Sequence, residues 1–251
     1  MRPALLSSAV LLFVACATSP LGRNQVMLVS AGQMNQMGVA AYRDMQQKTP
    51  ATKNSKASAY VKCVADAITR EVGGDDWEVT VFEDKAVNAF ALPGGKIGVY
   101  TGMLGVAKNP SQLAAVIGHE VSHVLANHGA ERVSEGMLAQ GVTQVAAAST
   151  GYDPRLFQLA GDVFFLKPHS RTQESEADLL GLDLMARAGF DPSQAAELWR
   201  NMSQSGGGKP PEILSTHPSD STRIAQLTER MATARPLYEQ ARASGKKPSC
   251  G

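Results

Sequence analysis

The stretch VIGHEVSHVLANHGAER at residues 116–132 restricts the fold more than any other part of the chain. It sets His119 and His123 four residues apart, with Glu120 beside the first. On a helix turning about 100° per residue, positions i and i+4 lie within about 40° of each other on one face. Two imidazoles held this way can bind one metal ion, and a glutamate next to the first can reach a water on that ion. A catalytic zinc takes three protein ligands and keeps one position open, so a third ligand must come from elsewhere in the chain.

His128 does not qualify. On a continuous helix it stands about 140° from His123, too far round to reach the same ion, and is expected to be a helix-end or supporting residue. A metzincin spacing would need Gly at 126 and His at 129, where this chain has Ala126 and Gly129. The better source is RTQESEADLLGLDLMARAG, residues 171–189. With Glu174 at 0°, Asp178 falls at about 40° and Gly181, Met185 and Ala188 share that side. Glu176 falls at about 200°, beside Asp183 and Arg187, and reads as solvated surface. A carboxylate facing an apolar side needs a compensating charge, which a zinc ion supplies. Glu174 is therefore the expected third ligand, and Asp178 is placed to accept a hydrogen bond from a ligating histidine and fix its tautomer.

Around this motif the chain reads mostly as helix, over 24–48, 55–72, 110–128, 131–148, 154–166, 172–188, 192–203 and 219–234. WEVTVFED (77–84) alternates like a strand, and NAFALPGGKIGVYTGML (88–104) reads as two strands joined by a tight turn. The expected class is α+β, mainly α, with a small sheet beside the motif helix.

The 251 residues carry 43% hydrophobic side chains and a net charge of +1. That suffices for one full core and argues against nucleic acid as a partner. MRPALLSSAVLLFVACATSP has one Arg, a short apolar run and then small residues, the pattern of a signal peptide. FVAC ends at Cys16 like a lipobox, so residues 1–15 are expected to be removed and a lipid anchor placed on Cys16. The alternative is ordinary cleavage after Ala17, giving a soluble exported protein. The remaining organisation is expected as a linker and helix at 16–54, the main domain at 55–235 and a tail at 236–251. In an oxidising compartment Cys63 and Cys250 are a disulfide candidate; two free thiols are the other reading.

HExxH followed some fifty residues later by ExxxD, Glu174 to Asp178, resembles the M48 family of zinc peptidases, which are gluzincins. NAFALPGGKIGVYTGML, the RxxExEADxxG pattern from Arg171 to Gly181 and THPSDSTR from Thr216 to Arg223 carry the same resemblance across about residues 55–235. The lipobox and the lack of membrane helices point to its periplasmic branch, to which LoiP and BepA belong. The resemblance implies a zincin-like domain holding one Zn2+ and hydrolysing peptide bonds. Glu120 would be the general base on a zinc-bound water of pKa about 7. It implicates His217 and Arg223 in stabilising the oxyanion, or His217 as a plug in zinc's open position, released when the Gly206-Gly207-Gly208 loop moves. It also implies that Asn88, Ala89 and Phe90 line the cleft on an edge strand that pairs with extended substrate. Misfolded or misassembled envelope proteins are the expected substrates, at the periplasmic face of the outer membrane, with envelope assembly machinery as a partner. A non-proteolytic assembly factor for outer-membrane proteins is the alternative. A purely structural zinc fits poorly, since such sites are usually closed by four Cys or His ligands. No role is assigned to His169 or Asn127.

Overall fold

The computed structural model describes residues 15–73, 77–139, 154–204, 212–217 and 222–250. The expected signal segment up to Val14, the helical stretch beyond Ala139, the Gly206-Gly207-Gly208 loop and Pro218-Ser219 lie outside these residues. The described chain opens with an antiparallel hairpin of β1 (Ala15–Thr18) and β2 (Asn24–Met27), in which Cys16 stands opposite Val26. α1 (Ala31–Lys48) follows, started by a reciprocal capping box between Ser30 and Gln33. The helix expected from residue 24 therefore begins at Ala31, because the hairpin takes Asn24–Met27. After α2 (Ser55–Arg70) come β3 (Glu78–Phe82), β4 (Ala89–Leu92) and β5 (Lys96–Tyr100). They form a sheet in the order β3-β5-β4, with β5 parallel to β3 and antiparallel to β4. Gly94 and Gly95, at φ 83° and 69°, make the tight turn between β4 and β5, a conformation that suits glycine.

The remaining elements are α3 (Pro110–Leu125), α4 (His128–Ala139), α5 (Pro154–Phe165), α6 (Arg171–Arg187), α7 (Gln194–Gln204), the single turn α8 (Ile213–Thr216) and α9 (Arg223–Ala243). Asn109 caps α3 by accepting from Gln112 N, with Pro110 in the first turn. α3 is the axis of the molecule: every residue from Gln112 to His123 is buried. It packs against α6, α7, α2 and β4, and α6 in turn packs against α9. Where α3 crosses α6 there is no room for side chains. A Cβ on Gly181 would stand 2.8 Å from the backbone N of His119, and one on Gly118 would stand 2.9 Å from the carbonyl of Gly181. Two glycines thus set the spacing of the helices that carry the motif.

α3 stops at Leu125 and does not run on to His128 as expected. Asn127 adopts φ 55°, a left-handed conformation that asparagine tolerates better than most residues, and α4 leaves at a corner.

The N-terminal region expected as linker and helix contains α1 and packs into the fold. Val29, Met34 and Met37 form a second core with Val133 and Met137 of α4 and Leu159 and Val163 of α5. Tyr42 of α1 joins Phe82, Phe90 and Tyr100 in an aromatic cluster over the sheet. The tail expected from residue 236 does not begin there, since α9 runs through Pro236 to Ala243. Beyond α9 the chain returns to α2, where Cys250 forms a disulfide with Cys63.

Candidate metal centre

α3 and α6 cross at their two glycines, and the functional side chains meet just beside that crossing. α3 supplies His119, Glu120 and His123; α6 supplies Glu174 and Asp178. His119 Nε2 and His123 Nε2 lie 3.1 Å apart. Glu174 faces both, with Oε2 3.5 Å from His119 Nε2 and Oε1 3.4 Å from His123 Nε2. His217, which follows α8, completes the group: its Nδ1 is 3.0 Å from Glu174 Oε1 and 3.2 Å from His119 Nε2. The four residues each offer a donor atom within 4.8 Å of the others, and all four are buried. Imidazole lone pairs and a carboxylate converging at this distance in a dry interior repel one another unless a cation stands among them. The donor set fits a divalent metal.

Glu120 lies next to this cluster. Its Oε1 is buried without a hydrogen-bond partner among the described residues, 3.6 Å from His217 Nε2. Burial pushes its carboxyl above the usual range. A cavity of about 250 Å³ opens on Glu120 and His123, and its walls include Asn88, Ala89 and Phe90 together with Met34 and Phe164. β4 is an edge strand of its sheet. The ring of Phe90 turns away into the aromatic cluster, against Phe82 and Tyr100.

Each histidine has its own support. His119 Nδ1 lies 2.9 Å from Asp178 Oδ1. Burial works to lower the His119 pKa, but the hydrogen bonds to Asp178 and Glu174 outweigh it and raise the value to about 10 in the metal-free chain. Arg223 donates to both carboxylates, with Nη2 2.7 Å from Glu174 Oε2, and its guanidinium carbon stacks 3.6 Å over the Trp199 ring. Arg223 thus braces Glu174 and Asp178, the two carboxylates that face the histidines.

Residues 51–231 match the sequence profile of Peptidase family M48. The chain belongs to this family. It is 39% identical over 179 residues to the "Mitochondrial metalloendopeptidase OMA1" of Schizosaccharomyces pombe, covering 70% of this chain and 53% of that protein. To the "Metalloprotease LoiP" of Escherichia coli K12 it is 29% identical over 218 residues, 83% of this chain and 84% of LoiP. To the "Beta-barrel assembly-enhancing protease" of the same strain it is 26% identical over 234 residues, 88% of this chain and 48% of that protein. The chain spans about half the length of the first and third of these relatives. M48 membership makes the domain an α+β metallopeptidase, the class that the order of motifs implied.

The structure of this M48 domain also gathers residues that the sequence assigned to the surface, to a helix end or supporting place, or to no role. Glu176 was expected at the surface, yet it is 4% exposed and accepts from Ser19, Arg23 and His128. Asp183, expected beside it in solvent, is 5% exposed and paired with Arg230. The hairpin β1–β2 covers the Glu176 face of α6 and α9 covers the Asp183 face, so α6 has no solvated stripe. A signal for this was present: Leu179, Leu180, Leu182 and Leu184 spread apolar surface around the whole helix, the mark of a buried one. His128, turned by the corner at Asn127, reaches His123 with Nδ1 to Nδ1 at 2.8 Å. His169 stacks between His123 and His217, its ring 3.9 Å from the former, and Arg132 donates to it. Its backbone N–H donates to Thr216 O, fixing α8 and so His217. Nothing in the spacing of His169 announced this.

Proposed function

We propose that this M48 metallopeptidase is a zinc-dependent endopeptidase that hydrolyses peptide bonds in misfolded or misassembled cell-envelope proteins. The observation that carries the reading is the buried convergence of His119, His123 and Glu174 with the unpartnered Glu120 oxygen beside them. Two imidazoles, one carboxylate and a fourth position match the donor preference of a catalytic zinc. When bound, zinc supplies Lewis-acid polarisation of the scissile carbonyl and makes water nucleophilic near neutral pH. Glu120, whose burial favours holding a proton, takes the proton from water and passes it to the leaving amine. Extended substrate pairs with the free edge of β4 and places a side chain in the adjoining apolar cavity.

His217 is in position to fill the fourth place, which favours its reading as a plug over a catalytic helper. The envelope setting is supported by the lipobox-like FVAC and by the Escherichia coli relative named for enhancing beta-barrel assembly. No helix among the described residues is long and apolar enough to cross a membrane, so attachment rests on the lipid proposed for Cys16. The alternative, a non-proteolytic assembly factor, would keep His217 in place permanently.

The test uses the chain from Cys16 onward beside its Glu120→Gln variant, assayed for zinc content and for cleavage of an unfolded protein. One zinc in both, with cutting by the parent alone, is the expected result. His217→Ala is expected to cut faster; slower cutting would make His217 a helper. Zinc in both and cutting by none, His217→Ala included, would leave the assembly factor standing.

A further inference from the structure

The two histidines of the motif are backed in different ways. A carboxylate, Asp178, touches His119 directly. Behind His123 stands a second imidazole, His128, and the carboxylate Glu176 is one ring further out, 3.1 Å from His128 Nε2.

Proton positions along this row are fixed from both ends. At the outer end, Glu176 accepts the Ser19 hydroxyl on Oε1 and Arg23 Nε on Oε2 at 3.1 Å. Arginine only donates, so the shared Oε2 is an acceptor and the contact with His128 must be donated by His128 Nε2–H. A neutral imidazole has one N–H, which leaves His128 Nδ1 as an acceptor. The 2.8 Å contact then needs the proton on His123 Nδ1. At the inner end, His123 Nε2 points at His119 and Glu174 and must present a lone pair to hold a metal, which places its proton on Nδ1 as well. The two requirements meet in one arrangement without conflict.

We infer that His128, Glu176 and Arg23 form a relay that locks His123 in its metal-ligating tautomer, making the N-terminal hairpin a working part of the metal centre. This rests on His123 being a ligand, as proposed above. The three are positioning residues, since none touches metal or substrate. The hairpin is built for the task. Ser19 and Arg23 are brought together across its turn by the Ser19 N–H to Arg23 O bond of 2.8 Å. Arg23 also binds Glu131 with both terminal nitrogens. Gln25 donates to the carbonyl of Ala126 at 2.7 Å and to Glu131 at 3.1 Å, gripping the corner that delivers His128. Without the left-handed Asn127, His128 would point elsewhere and the relay would not exist.

The experiment begins with the unaltered, metal-free chain labelled with 15N-histidine. Two-bond N–H correlations report which nitrogen of His123 carries the proton: Nδ1 is expected, and Nε2 would overturn the proposal whatever any variant does. Zinc affinity is then measured by chelator competition for His128→Phe, which removes the acceptor, and His128→Gln, which restores one through its amide oxygen. The first is expected to bind zinc about 10- to 100-fold more weakly, and the second to recover most of that loss. Arg23→Ala is expected to weaken binding in the same direction, with Arg23→Lys intermediate. Equal zinc affinity in His128→Phe and the parent would sink the relay while leaving the peptidase reading intact. Failure of the parent to bind zinc at all would sink that reading first.

Discussion

His119 and His123, the two imidazoles proposed as ligands, are held from opposite ends of the chain. The His119 arm runs through Asp178 to Arg223 on α9, and the guanidinium is closed off by Trp199. The His123 arm runs through His128 and Glu176 to Arg23 on the hairpin. Both end in an arginine spanning two carboxylates: Asp178 and Glu174 in one, Glu176 and Glu131 in the other. They differ in their contact with water. Arg223 is 4% exposed by its side chain, whereas Arg23 is 26% exposed. The same proton arrangement is thus secured once in a dry interior and once at a wetted edge. In the interior a broken pair leaves a bare charge, while at the edge solvent makes good part of the loss.

The largest difference is expected from Asp178→Ala. It strips His119 of its acceptor and leaves Arg223 under-paired in the interior. Unfolding free energy of the metal-free chain should fall by about 3–5 kcal/mol in urea titration, and zinc affinity by about 10- to 100-fold. Arg23→Ala should cost less, about 1–2 kcal/mol in the same titration, because Arg23 is itself partly exposed and its removal opens a path for water to the buried Glu131 and Glu176. A loss equal to that of Asp178→Ala would mean that exposure does not separate the two arms.

The smallest and most selective effect should come from acid. Hydrogen bonds hold Glu176 and Glu131 below the usual carboxylate range, against the opposing pull of burial. Their contribution is present above the unfolded value of about 4.3 and is lost as pH falls through the lower folded values. Burial would raise Glu174, but His217, His119 and His123 hold it far below that range. As pH falls, backbone amides of the hairpin should therefore lose exchange protection before the fluorescence of Trp199 changes, with Trp77→Phe silencing the only other tryptophan. Simultaneous loss would show the arms to be one cooperative unit.

The inner arm was readable in the sequence and the outer one was not, for a physical reason. Spacing along one helix is sequence information, so His119 with His123 and Glu174 with Asp178 follow from a turn of about 100° per residue. The outer arm depends on two events that periodicity does not encode. One is the left-handed Asn127, which moves His128 from a discarded position to within reach of His123. The other is the docking of residues 15–27 over α6, which turns Glu176 from apparent surface into a buried acceptor. The sheet, the tight turn at Gly94-Gly95 and most helices followed from local pattern; where the hairpin and α9 lie did not.

The bond between Cys63 and Cys250 has a consequence of another kind. Every residue of both arms except those in the hairpin lies inside the covalent ring it closes. A single backbone cut anywhere inside that ring opens it without releasing a fragment. For a peptidase, within reach of its own copies, one accidental nick would leave the two pieces tethered and able to re-form the centre. Nicked chains should run as one band on a non-reducing gel and as two after reduction.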